Sequence, residues 1–162
     1  MKCVYLSLGS NQGDRVSNLG RAIERLAEGG ARVRRVSSYY KTQPVDFRPQ
    51  AWFVNCAAEA ETDLMPLQLL SLCKETERAL GRRPGILKGP RPVDIDILLY
   101  ENAVIHSREL VVPHERMADR RFVLIPLCEI APDLIHPASQ RTVRELLHET
   151  SDQSQVAKLR PE

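Results

Sequence analysis

The segment "KGPRPVDIDILLY", residues 88–100, combines a strand-like pattern with two acidic positions. Its alternate positions are apolar, as expected for an extended strand with one buried face: Val93, Ile95, Ile97 and Leu99. The opposite face opens with Asp94 and Asp96, which strand geometry would place about 6.5–7 Å apart at the backbone. Like charges repel, so the pair needs a cation nearby. The residues fit a divalent metal site, and they also fit the solvated outer face of an edge strand.

The order of predicted elements leading to this strand indicates the fold class. In chain order the patterns predict a strand at 3–9, a helix capped by Asp14 and ended by Gly29-Gly30, strands at 32–41 and 53–61, a helix from Pro66 to Gly81, and the strand with the two aspartates. This β-α-β-β-α-β order predicts an α+β, ferredoxin-like two-layer sandwich with an antiparallel sheet. Additional short elements are expected from residue 104 onward.

Length and composition favour one domain spanning residues 1–162. The chain has 162 residues, of which 43% are apolar, enough for one sizeable core. From about residue 150 the sequence is polar, and we expect this tail to fray and to be dispensable. The net charge is +2, too near balance for a general polyanion binder, so any basic site must be local.

Cysteine usage and hydropathy predict a cytoplasmic protein. The four cysteines, at positions 3, 56, 73 and 128, lie far apart in apolar stretches, which favours reduced thiols over disulfides or a zinc site. The apolar run at the N-terminus is too short for a secretory signal. No segment approaches the roughly 20 apolar residues of a membrane span, so we expect no membrane association.

Cationic side chains occur on both sides of the aspartate pair. They are Arg82, Arg83, Lys88 and Arg91 in "GRRPGILKGPR" (81–91), and His114, Arg116, Arg120 and Arg121 in "VVPHERMADRRF" (111–122). Cations beside metal-binding acids suit a polyphosphate substrate, because Mg²⁺ neutralises part of its charge and arginines bind the rest. The alternative is that the arginines pair with the aspartates and that His114 is structural. The chain has no P-loop or Rossmann glycine pattern, so these motifs would not hold a nucleotide.

Two phenylalanines suggest a site for a flat ring. Aromatic residues make up 5% of the chain, and Phe53 shares a predicted strand face with Asn55 while Phe122 follows the second basic cluster. Two phenyl faces with an amide between them can hold a heterocycle by stacking and edge hydrogen bonds. Each phenylalanine taken alone favours a place in the hydrophobic core over a binding role.

Taken together, several segments resemble a known family. They are the opening "YLSLGSN", then "SSYYKTQPV" and "FVNCA", then "GPRPVDIDILLY" and "VPHERMADRRFVLIPLCEIAPDL". With these segments in this order, the chain resembles the 6-hydroxymethyl-7,8-dihydropterin pyrophosphokinases from about residue 4 to about residue 148. The resemblance implies a ferredoxin-like fold and transfer of the β,γ-diphosphate of ATP to the hydroxymethyl group of a dihydropterin in folate biosynthesis, with Mg²⁺.

The resemblance also implies residue roles on the ATP side of the site. Asp94 and Asp96 would be the metal ligands, with two Mg²⁺ ions expected. Arg82 and Arg91 would contact the phosphates and stabilise charge in the reaction. The residues expected to bind ATP are Glu77, Lys88, His114 and Arg120. The family usually has an aromatic residue at the position of Lys88 and a basic one at that of Leu87.

The remaining implied roles concern the dihydropterin and the partners. Phe53 and Phe122 would sandwich the ring and Asn55 would bind its edge, with the backbone around Thr42, Pro44 and Val45 lining the pocket. We expect a monomer that acts on small molecules and binds neither nucleic acid nor membrane. Two other functions fit the residues: a metal-dependent phosphodiesterase, and a ferredoxin-like RNA-binding module.

Overall fold

The computed structural model describes residues 1–45, 49–81 and 92–160. Its elements in chain order are β1 (Lys2–Ser10), α1 (Arg15–Glu28), β2 (Ala31–Val36), β3 (Tyr40–Thr42), β4 (Phe53–Thr62), α2 (Pro66–Ala79), β5 (Asp94–Tyr100), β6 (Ile105–His106), β7 (Val111–Val112), a 3₁₀ turn (Met117–Asp119), α3 (Arg121–Ile130), α4 (Val143–Glu149) and β8 (Val156–Lys158). The predicted order is confirmed, except that the strand predicted at 32–41 is divided into β2 and β3.

Local signals begin and end the first two helices where the sequence predicts. The Asp14 side chain caps α1 by accepting a hydrogen bond from the Ser17 backbone N–H at 3.1 Å. Pro66 occupies the first position of α2, where a missing N–H costs nothing. Gly81 follows α2 with a φ of +103°, a conformation that favours glycine.

The main sheet has the strand order β5-β1-β4-β3-β8, and β2 also pairs with β4. All of these pairings are antiparallel. Because β1 lies between β4 and β5, Gly9 is opposite both Asn55 and Asp94, and Ser7 is opposite Asp96. The register therefore brings the acidic start of β5 close to the start of β4.

Each face of the sheet has its own hydrophobic cluster. The first cluster packs the sheet against α1 and α2; its buried members include Leu6, Leu8, Cys56, Ala58, Leu19, Leu26, Leu69 and Cys73. The second packs the opposite face against α3 and α4; its buried members include Tyr5, Ala57, Val123, Leu124, Leu127, Val143 and Leu146. The predicted α+β, ferredoxin-like class is confirmed. Among the additional C-terminal elements, α3 and α4 form a further helical layer on the second face.

A bulge in β5 corrects the predicted alternation of this strand. Ile97 pairs with Leu6, but Leu99 pairs with Tyr5, so one extra residue is inserted in β5. Ile95 and Ile97 belong to the first cluster, whereas Leu98 and Leu99 both belong to the second. The prediction that Leu99 continues the face of Ile95 and Ile97 is therefore wrong. The carbonyl of Leu98 instead accepts a hydrogen bond from the His114 backbone N–H at 3.0 Å.

The C-terminal segment differs from the frayed tail that its polarity suggests. Strand β8 pairs with β3, with Thr42 opposite Val156 and Tyr40 opposite Lys158. The Leu159 N–H also donates to the Tyr39 carbonyl at 2.8 Å. Backbone hydrogen bonds do not depend on side-chain hydropathy, so a polar segment can complete the edge of a sheet.

Across the described ranges, no helix is both long enough and apolar enough to cross a membrane.

Candidate functional site

Asp94 and Asp96 lie at the boundary between two pockets. Both side chains project from the start of β5 and are partly exposed, and both contribute to the walls of each pocket. We call the first the aromatic pocket, because Phe53 and Phe122 line it, and the second the polar pocket, because Lys74, His114 and Glu115 line it. A cation held by these two carboxylates would therefore face ligands in both pockets.

The aromatic pocket contains all six residues predicted to bind a ring. They are Thr42, Pro44, Val45, Phe53, Asn55 and Phe122, around an empty volume of about 480 Å³. Phe122 is only partly buried against the second hydrophobic cluster, which leaves part of its ring at the pocket wall. The Arg120 guanidinium lies 5.6 Å from the centre of the Phe122 ring. This pocket can accommodate a flat ligand with a polar edge.

The polar group within this pocket is a buried amide. Asn55 donates a hydrogen bond from its side-chain nitrogen to the Thr42 hydroxyl, and both residues are almost fully buried. Its amide oxygen points at Gly9, so closely that a Cβ on Gly9 would overlap it. Gly9 has no positive φ, so the close approach of Asn55 is what requires glycine here. A glycine at the end of the predicted first strand was the available sequence signal for this contact.

The turn between β1 and α1, together with the first residue of α1, is hydrogen-bonded to the segment that precedes β4. Asn11 donates from its amide to the Gln50 side-chain oxygen at 2.6 Å and to the Ala51 carbonyl at 3.1 Å. Arg15 donates to the Trp52 carbonyl at 2.7 Å. Gln50 lines the aromatic pocket. Sequence reasoning missed these contacts because the partners lie about 40 residues apart.

The polar pocket contains two of the residues predicted to bind ATP. Glu77 and His114 line it, around an empty volume of about 840 Å³. Glu77 is buried, and its carboxylate accepts a hydrogen bond at 2.7 Å from the backbone N–H of Ile95, the residue between the two aspartates. Glu77 therefore helps to fix the part of β5 that presents both carboxylates.

Burial favours the neutral form of His114, whose Nε2 faces Asp96. Burial, reinforced by the nearby positive charge of Arg120, lowers the pKa of His114 below its ordinary value. Its Nδ1 accepts a hydrogen bond from the Arg116 backbone N–H at 3.2 Å, so the proton of the neutral ring is on Nε2. Nε2 lies 3.9 Å from an Asp96 carboxylate oxygen. This nitrogen can donate to an oxyanion placed beside Asp96.

The other predicted ATP-side residues are not all in the polar pocket. Arg120 lines the aromatic pocket, next to Phe122. Arg82, Lys88 and Arg91 lie outside the described residues. The structure therefore brings Glu77, His114 and the two aspartates together, and it places Arg120 on the other side of the aspartate pair.

The donor set of the aspartate pair fits a hard divalent cation. Mg²⁺ in proteins is typically held by one or two carboxylates, with water and substrate phosphates completing its shell. Within the described ranges, no group of three or more His, Cys, Asp and Glu side chains could enclose a metal. A cation held here would thus keep most of its coordination sites for water and for a ligand's oxygen atoms.

Comparison with known proteins gives a consistent set of matches. Residues 5–132 match the family model for 7,8-dihydro-6-hydroxymethylpterin-pyrophosphokinase. The chain is 46% identical over 148 residues to the 2-amino-4-hydroxy-6-hydroxymethyldihydropteridine pyrophosphokinase of Methylorubrum extorquens. This match covers 91% of this chain and 92% of that protein. It is 40% identical over 153 residues to the folic acid synthesis protein fol1 of Schizosaccharomyces pombe, covering 94% of this chain but 21% of that protein. The chain thus spans about a fifth of the second relative.

Solved structures share the fold. The crystal structure of Plasmodium falciparum HPPK-DHPS wild type with SDX-DHP has a TM-score of 0.71 to this chain. The match is 16% identical and covers 92% of this chain and 43% of that chain. At this identity the likeness concerns the fold alone.

The contact between Gly9 and Asn55 predicts the effect of a single methyl group. Gly9→Ala should lower the free energy of unfolding by about 1–3 kcal/mol, because the new Cβ displaces the Asn55 amide from its bond to Thr42. Urea denaturation measures this loss. Gly20→Ala is the matched control, because a Cβ at Gly20 meets no atom within 4 Å and alanine favours the helix. Equal stability of the two variants would show that Asn55 adapts without cost.

Proposed function

This chain belongs to the 7,8-dihydro-6-hydroxymethylpterin-pyrophosphokinase family, and we propose that it transfers diphosphate from ATP to the hydroxymethyl group of 6-hydroxymethyl-7,8-dihydropterin, in folate biosynthesis. The observation that carries the proposal is that Asp94 and Asp96 form a common wall between an aromatic pocket and a polar pocket. Two substrates bound in these pockets would meet beside the same two carboxylates.

The dihydropterin binds in the aromatic pocket. Its flat ring stacks on Phe53 and Phe122, since aromatic faces bury large areas and favour parallel or edge contacts. The Asn55 amide binds the polar edge of the ring, while Thr42 holds that amide in place. Pro44 and Val45 close the pocket near the end of β3. The hydroxymethyl group then extends toward Asp94 and Asp96.

ATP occupies the polar pocket, with its phosphates directed to the aspartate pair. The neutral His114 donates from Nε2 to a phosphate oxygen, and Glu77 acts by holding the backbone of Ile95. Arg120 approaches the phosphates from the aromatic side. Arg82, Lys88 and Arg91, which lie outside the described residues, supply the further cations that a triphosphate needs.

Asp94 and Asp96 would hold Mg²⁺, with two ions expected when both substrates are bound. Metal held there would supply neutralisation of phosphate charge and help to orient the reacting groups. The substrate hydroxyl oxygen attacks the β-phosphorus, the bond from that phosphorus to the oxygen shared with the α-phosphorus breaks, AMP leaves and the hydroxyl proton passes to water. The chain contributes position and charge, because its residues fix the two substrates in line and Arg82 and Arg91 meet the developing charge.

The chain acts as one domain over residues 1–162, as a monomer in the cytoplasm, without nucleic acid or membrane partners. All four cysteines are free, and burial raises the pKa of Cys56 and Cys73 to about 12, consistent with inert core thiols in a reducing compartment. The two phenylalanines line a pocket rather than an open sheet platform, which favours a small ring over single-stranded RNA.

The identity of the products tests the proposal most directly. The purified chain, incubated with ATP, Mg²⁺ and hydroxymethyl-dihydropterin, should form AMP and pterin diphosphate in equal amounts, as identified by mass. Accumulation of ADP would indicate transfer of a single phosphoryl group. Hydrolysis of ATP without the pterin would indicate the phosphodiesterase alternative.

The metal assignment predicts a separation of activity from stability. Asp94→Asn and Asp96→Asn should each lower turnover by roughly 10²-fold or more, because a misplaced cation misaligns the phosphates. Both carboxylates are partly exposed, so the free energy of unfolding without metal should change by less than about 1 kcal/mol.

Asp133→Asn serves as the control for the metal assignment, since Asp133 is 83% exposed and pairs with Arg144. Turnover and urea denaturation are measured on all three variants. A large loss of stability in the Asp94 and Asp96 variants, with turnover near that of the original chain, would mark these aspartates as structural partners of arginine.

The ring assignment predicts a substrate-selective loss of affinity. Phe122→Ala should weaken pterin binding by about 1–3 kcal/mol, since it removes one stacking face. ATP affinity should remain nearly unchanged, because Phe122 does not line the polar pocket. Calorimetry with each ligand makes the comparison within one variant. Equal weakening of both ligands would instead identify Phe122 as a core residue.

A further inference from the structure

The C-terminal segment touches both walls of the aromatic pocket. On one wall, the Gln43 N–H donates to the Gln155 carbonyl at 3.0 Å, and the Gln155 N–H donates to the Gln43 side-chain oxygen at 3.1 Å. These bonds continue the pairing of β8 with β3 to the residues that precede Pro44. The end of β3, which forms one side of the pocket, is therefore held by the C-terminal segment.

On the opposite wall, the same segment caps the helix that carries Phe122. Helix α3 begins at Arg121, and its N-cap residue, Arg120, makes no side-chain capping bond. The Asp152 carboxylate accepts the Arg121 backbone N–H at 2.8 Å, and the Ser154 carbonyl accepts the Arg121 side-chain Nε–H at 3.1 Å. A carboxylate at this position satisfies a free N–H and interacts favourably with the helix dipole.

Asp152 is itself fixed by hydrogen bonds on its second oxygen. That oxygen accepts the Ser154 N–H at 2.9 Å and the Ser154 hydroxyl. Partial burial would raise the pKa of Asp152, but the hydrogen bonds from Ser154 and the Arg121 N–H outweigh it and hold the pKa below its ordinary value. The side chain is thus a charged, oriented acceptor for the start of α3.

We propose that Asp152 is a positioning residue for the dihydropterin, and that residues 152–155, the C-terminal strap, set the separation between the Phe122 wall and the Gln43–Val45 wall. The inference rests on the proposed function, because it assigns the ring to the aromatic pocket. Asp152 does not line that pocket, so it acts through the backbone of Arg121 and the neighbouring Phe122. A stacked ring is sensitive to this separation, because dispersion contacts weaken steeply when a gap opens.

The position of the strap predicts which substrate is affected. The strap contacts Gln43, which follows β3, and the start of α3, whereas the polar pocket is lined from α2, β5 and the segment at 109–115. Loss of the Asp152 carboxylate should therefore disturb pterin binding more than ATP binding. A purely structural role would lower thermal stability without this selectivity.

The test compares steady-state constants of Asp152 variants in the full chain. Asp152→Ala should raise the KM for hydroxymethyl-dihydropterin about tenfold, the scale of one charge-assisted hydrogen bond, with kcat and the KM for ATP within about threefold of the original chain. Asp152→Asn keeps one carbonyl acceptor and should recover part of the loss. Asp133→Ala removes an exposed carboxylate near α4 and should leave both KM values unchanged.

Two results would overturn the inference. One is a fall in melting temperature for Asp152→Ala with no change in the pterin KM; the other is an equal rise in both KM values. If Asp152→Ala does not fold, Asp152→Asn and Ser154→Ala carry the test, since each removes only part of the network.

Phe122→Ala, measured alongside, separates failure of the strap from failure of the pocket assignment. If Phe122→Ala weakens pterin binding and Asp152→Ala does not, the strap inference alone fails. If the original chain forms no pterin diphosphate, or if Phe122→Ala leaves pterin binding unchanged, the assignment of the pocket fails and the strap inference fails with it.

Discussion

The repulsion between Asp94 and Asp96 is the constraint on which the rest of the site depends. Strand geometry keeps both carboxylates on one face, and the buried Glu77, a third acid, holds the Ile95 N–H between them. Opposite the two aspartates, β1 contributes Ser7 and Gly9, neither of which carries a charge that could offset the repulsion. Three carboxylates around a few residues favour cations strongly. The two pockets, on either side of the aspartate pair, are therefore suited to ligands that bind together with a cation or that contact a cation held by the pair.

The fold was predictable where local chemistry decides local structure. The shared strand face of Phe53 and Asn55, the Asp14 cap and Pro66 at the start of α2 all act through near neighbours, and the structure confirms each of them. The bulge at Leu98 was not predictable, because it depends on pairing with Tyr5, almost a hundred residues earlier. The pairing of β8 escaped prediction for a related reason, since backbone hydrogen bonds leave no hydropathy pattern.

The site was predictable in its residue types more than in its contacts. Paired acids, two phenylalanines and a buried amide each suggest a ligand chemistry, and the structure brings them together around one pocket. Sequence spacing could not show that Arg120 faces the aromatic pocket, that Asn11 holds Gln50, or that Asp152 caps α3. Those relations join segments that are distant in the chain, so they follow from the tertiary fold alone.

The bulge in β5 limits how the length of this region can vary during evolution. Upstream of Leu98, Ile95 and Ile97 face the first cluster, whereas downstream the phase is shifted by one residue, so that Leu99 faces the second cluster and Tyr100 faces the first. Inserting or deleting one residue next to Asp96 would turn a carboxylate toward the α1–α2 core, because the side-chain period of a strand is two. The bulge carbonyl also positions His114. Changes in chain length are therefore far better accommodated in the turn at 101–104 than within β5.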